Sequence, residues 1–125
     1  MSELPPKTQQ GLQAFNQGIF YTPHEYFETA WRKTPGDTRE FYRALLHLSG
    51  GYYRLTQDRS GAALKFFQRS HHWMRQFSQP VGQIDTSDLI THFVNLITHI
   101  QSGLPTAVIP TEHKFQIYFL HQESG

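Results

Sequence analysis

Apolar residues recur along most of this chain at intervals of three and four, the period of an α-helix buried on one side. Leu12 and Phe15 mark such a face over a first helix from about Thr8 to Gln17, and Gly18 is placed to end it. Thr22-Pro23-His24-Glu25 then has the make-up of a capping box. It offers a hydroxyl at N-cap, a proline at the first helical position, where a missing N–H costs nothing, and a glutamate at N3. Tyr21 and Tyr26 flank it as a hydrophobic staple. The helix so opened, about 23 to 33, gathers Pro23, Tyr26, Phe27, Ala30 and Trp31 on one arc and stops at Thr34-Pro35-Gly36.

A third helix, about 37 to 57, repeats Phe41, Ala44, Leu45, Leu48, Tyr52 and Leu55 at helical spacing. Ser49-Gly50-Gly51 interrupts it. Two adjacent glycines cost a helix on the order of 2 kcal/mol relative to alanine, so they mark close approach by another helix or a kink, and close approach is favoured. Ser60 is a natural N-cap for a fourth helix, about 61 to 77, with Ala63, Phe66, Phe67, Ser70, Trp73, Met74 and Phe77 inward. After a loop holding Pro80 and Gly82, Asp85 or Thr86 caps a fifth helix that runs to about Gln101 and stops at Gly103-Leu104-Pro105. Only the C-terminal stretch breaks the period. Phe115, Ile117 and Phe119 alternate in the manner of a strand, but no second strand exists to pair with them, so an extended aromatic arm is expected.

The expected fold class is therefore all-α: a small five-helix bundle over residues 8–103, a frayed N-terminus over 1–7 and an extended C-terminal arm over 104–125. At 125 residues the chain suits one domain spanning 1–125. Ten Phe, six Tyr and two Trp give that domain an aromatic core. Having no cysteine, it can form neither a disulfide nor a thiolate metal site, which fits a cytoplasmic protein. No apolar run approaches the ~20 residues of a membrane span, and the first ten residues lack the order of a signal peptide, so no membrane insertion is expected. A net charge of +1 argues against nucleic-acid binding. Charge is unevenly spread, however. Residues 1–77 carry ten Lys or Arg against six acids, and residues 78–125 one Lys against four. Arg43, Arg54, Arg69 and Arg75 could meet an acidic partner, though such residues are also ordinary solvated surface.

Phe15-Asn16-x-Gly18-x-Phe20, His24-Glu25-x-x-Glu28-x-x-Trp31, the helical run Phe41 to Leu55 and Ser60-Gly61-Ala62 together form a recognisable pattern. Over about residues 12 to 77 it resembles the family called domain of unknown function 309, whose members read FNxGxY/F, then AHExxExxW, then a Gln-Gly-Leu-Ile helix, then Gly-Ala. The resemblance implies a bundle in which helices 1 to 4 wrap around the third, and it implies no activity. Two positions depart from the pattern. Arg43-Ala44 stands where the family shows Gln-Gly, and Tyr53 where a histidine commonly falls, so a site needing that Gln or His would be altered.

On a helical wheel His24, Glu28 and Trp31 fall within about 60° of one another, beside the apolar arc. His24 and Glu28 are i, i+4 neighbours near a helix N-terminus, which favours a neutral imidazole backed by a carboxylate. That arrangement can make a general base or a metal ligand. The candidate catalytic residues are thus His24, Glu28 and Tyr53, and the candidate metal ligands His24, Glu28 and His47. Neither HExxH nor paired ExxH is present, and no cofactor is expected. The structural alternative, which the missing converging groups favour, has the pair satisfying each other while Trp31 fills the core. Whether the pair opens onto a pocket or lies sealed beneath the first helix separates these readings. His47 shares a polar arc with Arg43 and Arg54 and is expected in solvent, as is the fifth-helix stripe Asp88, His92, Asn95 and His99. The expected function is a non-enzymatic interaction or assembly domain that meets a protein partner or a second copy through its arm. The alternative is a hydrolase-like, small-ligand or metal site centred on His24 and Glu28.

Overall fold

The structure, a computed structural model, describes residues 6–82, 84–112 and 117. Six helices occur among them: α1 (Pro6–Asn16), α2 (Tyr21–Lys33), α3 (Arg39–Thr56), α4 (Ser60–Met74), α5 (Thr86–Gln101) and α6 (Val108–Glu112). The fold is all-α, with the five expected helices and a sixth at the start of the arm. Among the described residues no helix is long and apolar enough to cross a membrane. Of the residues expected to be frayed, 1–7, the first five lie outside the described residues, whereas Pro6 and Lys7 are helical. Most of the alternating 115–120 stretch likewise lies outside them.

Helix ends follow from local chemistry. Gly18, at φ +85°, ends α1 in a Schellman turn: its amide donates to the Phe15 carbonyl and that of Ile19 to the Ala14 carbonyl, each at 2.9 Å. Asp58, at φ +59°, closes α3 in the same way, with the Arg59 amide donating to the Arg54 carbonyl at 3.0 Å. The capping box at Thr22 does not form. Instead α2 starts at Tyr21 behind Phe20, which makes no side-chain cap. Phe20 is buried with its ring 5.4 Å from Phe15 and 4.9 Å from Tyr52, so core packing rather than a hydroxyl fixes where the helix begins. Tyr21 pairs with Tyr53 at 5.3 Å instead of closing a staple. Ser60 does not cap α4 by its side chain either. At α5 the expected cap is found: the Asp85 carboxylate accepts the Ser87 amide at 3.1 Å and the Asp88 amide at 3.3 Å.

α3 is the central element. It carries ten buried residues and lies between α2 and α4, while α1 packs on α2 and α5 on α4. All six of its expected core residues are buried. The α3 to α4 seam is close because of its glycines: a Cβ on Gly51 would stand 2.5 Å from Phe67 Cε1. Ser70 seals the seam by donating its hydroxyl to the Ala44 carbonyl at 3.0 Å.

One described residue of the arm, Ile117, packs on the bundle. Asn16, the polar residue of the first motif, donates Nδ2 to the Ile117 carbonyl at 3.0 Å and accepts the Ile117 amide at Oδ1 at 2.8 Å. Ile117 is buried in the core. Earlier, His99 Nε2 donates to the Pro105 carbonyl at 2.6 Å and His92 shares a 2.8 Å hydrogen bond with the Tyr52 hydroxyl. The α5 histidine stripe is therefore half-covered rather than fully solvated. Asn16→Ala is expected to cost about 1 kcal/mol, the usual scale for lost partly buried hydrogen bonds. It should also speed exchange of the Ile117 amide in hydrogen-exchange NMR, and unchanged protection would show that the clamp does not hold the arm.

Candidate functional site

His24 and Glu28 project from the first two turns of α2 toward the middle of α3. They do not lie sealed beneath α1. With Tyr21, Glu25, Tyr53 and Arg54 they line a hollow of about 280 Å³, and Gly50 forms part of its wall. Gly50 lets the wall close in: a Cβ there would come within 3.7 Å of His24 Nδ1 and 2.5 Å of the Phe66 ring. The three candidate catalytic residues are thus brought to one place.

The Glu28 carboxylate is already engaged. Glu28 Oε1 accepts from the Arg32 guanidinium at 2.6 Å, while Glu28 Oε2 stands 3.9 Å from His24 Nε2, beyond hydrogen-bonding distance. Burial lowers the His24 pKa from its ordinary value of 6.5; Glu28 opposes that shift and Arg54 adds to it. The imidazole is accordingly neutral at neutral pH. It can donate or accept one hydrogen bond to a small guest, but its carboxylate neighbour is turned toward Arg32.

His47 is not part of this hollow. It lines a second, larger opening of about 810 Å³ between α3 and α4, bordered at one end by Trp31 of α2. Among the described residues no three His, Asp or Glu side chains are grouped so as to hold a metal ion, and the trio His24, Glu28 and His47 is therefore not assembled. Far from being freely solvated, His47 meets the edge of Phe66 at 5.6 Å between ring centroids. Burial, with Arg69, Arg43 and His24 nearby, pushes its pKa from 6.5 down to about 4.

The organising residue of this groove is Arg43. Its guanidinium lies over Trp31 at 4.9 Å and over Trp73 at 4.5 Å, and its Nε meets Glu40 Oε2 at 3.2 Å. Arg39 also covers Trp31, at 5.1 Å. Lys65 and Arg69 lie along the α4 side, and among the described residues no carboxylate lines the groove. Reading by helical wheel misses this site because it sorts Arg43 and His47 to solvent and Trp73 to the core. The usable signal is that tryptophan is rarely buried completely and arginine stems cover apolar surface, so the two meet at boundaries.

Residues 8–66 match the family model described as Domain of unknown function (DUF309). The DUF309 match runs from α1 into the first half of α4 and so takes in the hollow and the α3 wall of the groove. No curated protein matches the chain. Within the matched DUF309 segment Phe15 fills the core, Asn16 clamps the arm, Gly18 turns the chain and Trp31 backs Arg43. Glu25 is exposed at the rim of the hollow. The two departures from the DUF309 pattern, Arg43 and Tyr53, fall one in each opening.

Proposed function

We infer that this protein is a non-enzymatic interaction domain whose working face is the junction of α2, α3 and α4. The observation that carries this reading is the state of the candidate acid–base pair, His24 and Glu28. Glu28 is engaged by Arg32 at 2.6 Å, and His24 stands 3.9 Å away without a hydrogen bond to it. A histidine base is normally oriented by a hydrogen bond to a third group, and here the carboxylate that could orient His24 is engaged by Arg32 instead. The groove beside the pair is open and broad, a shape suited to contact with another molecule. A cytoplasmic location fits a chain without cysteine. Ile117 of the arm is buried on the chain's own bundle, which leaves this face as the partner surface among the described residues.

A second reading has its own support. His24, Glu28 and Tyr53 share one hollow, so a small hydrogen-bonding ligand, or one metal ion with further ligands from the guest, could sit there. Metal analysis of the purified protein and of His24→Ala separates the two. The interaction reading expects no stoichiometric metal in either, and a stability loss of about 1 kcal/mol in the variant as a partly buried polar side chain is removed. A metal present in the parent and lost with His24 would overturn it in favour of the hollow.

A further inference from the structure

We propose that the α3–α4 groove is a docking site for an acidic segment of a partner protein, with carboxylates of that segment seated on Lys65 and Arg69 and against the fixed guanidinium of Arg43. This rests on the interaction reading above and names the chemistry of its partner. The first support is charge without compensation. Two ion pairs, Arg32 with Glu28 and Arg43 with Glu40, occur among the described residues, and neither Lys65 nor Arg69 belongs to either. They are i, i+4 neighbours on α4, both exposed, so their ammonium and guanidinium groups stand one helical turn apart and repel each other. Across the groove from them Arg43 is a further cation, paired at Nε with Glu40, and among the described residues no acid lines the groove. Bound carboxylates would relieve that repulsion.

The second support is preorganisation. Arg43 is held between two tryptophan rings at 4.9 and 4.5 Å and tethered at Nε by Glu40. Its orientation is settled before any partner arrives, which removes much of the side-chain ordering that usually opposes binding. Leu46 and the edges of Trp31 and Trp73 supply an apolar wall, so the segment that fits carries acidic residues with an apolar one among them. Nucleic acid fits less well. The tryptophan faces on which a base would stack are covered by Arg39 and Arg43, and a chain of net charge +1 has little cationic surface with which to follow a phosphate backbone.

Fluorescence anisotropy with labelled poly-L-glutamate tests the proposal on the full chain, with single-stranded polyuridylate as the competing probe. The expected result is salt-sensitive binding of polyglutamate that falls roughly tenfold or more in Lys65→Glu/Arg69→Glu. Arg59→Glu/Arg75→Glu changes net charge equally on exposed residues that do not line the groove, and should bind almost as the parent does. Trp73→Leu, checked for folding by circular dichroism, should weaken binding by freeing Arg43. Absence of polyglutamate binding, equal losses in the two charge-reversed variants, or tighter binding of polyuridylate through Lys65 and Arg69 would each overturn the acidic-segment site. None of these outcomes bears on the non-enzymatic reading, which fails on metal bound at His24.

Discussion

Gly51→Ala is expected to destabilise the protein by about 2 kcal/mol, against the ordinary gain of roughly 1 kcal/mol when alanine replaces glycine inside a helix. The reversal comes from the α3–α4 seam. A methyl group on Gly51 would lie 2.5 Å from Cε1 of Phe67 and 2.9 Å from its Cδ1 and Cζ. Phe67 has no exposed surface, and its ring packs against Tyr52 at 5.8 Å, so it cannot swing aside. Gly50 provides the internal comparison. Its methyl would meet Phe66 at the same 2.5 Å, but Phe66 is only half-buried and has solvent to turn into. Gly50→Ala should therefore be close to neutral, because helix propensity offsets the displaced ring. Urea unfolding of the two variants checks the contrast. If both stabilise, or both cost the same, the glycines are not there to admit the rings of α4.

Those glycines show how far local reading of the chain reaches. Adjacent glycines inside an otherwise strong helical pattern can only be explained by a neighbour, and the neighbour is α4. Gly18 and Gly103 were legible for a related reason: each ends a helix at positive φ, a conformation that glycine adopts without steric cost. Thr22 misleads because capping competes with packing. A good box was available, but burying Phe20 between Phe15 and Tyr52 set the start of α2 two residues earlier. The arm was unreadable for the opposite reason. Its fixed point is a pair of hydrogen bonds between residues 16 and 117, and no window of sequence contains both. The hollow was half legible. His24 and Glu28 share one helix at i, i+4, so their proximity is arithmetic, whereas Tyr53 joins them only through the packing of α2 on α3. The groove was missed because a wheel assigns each helix's polar residues to water without knowing that Trp31 and Trp73, on two other helices, stand over Arg43.

His47 makes that error measurable as a dependence of stability on pH. A solvated histidine titrates near 6.5 in both the folded and unfolded chain and contributes nothing. Here burial, reinforced by Arg69 on α4, Arg43 on α3 and His24 on α2, holds the folded value near 4. Between those values the unfolded chain takes up a proton that the folded chain refuses, so acid favours unfolding. The neutral imidazole's full contribution is present above pH 6.5, is lost progressively as pH falls from 6.5 toward 4, and changes no further below that. A fully enclosed imidazole would lose over ~3 kcal/mol; one that faces an open groove loses about 2 kcal/mol after solvent screening. Thermal or urea unfolding across that range should show this slope in the parent and a flatter one in His47→Gln. Equal slopes would return His47 to solvent. The same proton links the imidazole to the acidic segment, since Lys65 and His72 also face the groove. A carboxylate seated beside Arg43 and Arg69 cancels part of the field that keeps His47 neutral. NMR titration with polyglutamate present should therefore move the His47 midpoint upward from about 4, and binding should tighten as pH falls through that range for as long as the glutamates stay ionised.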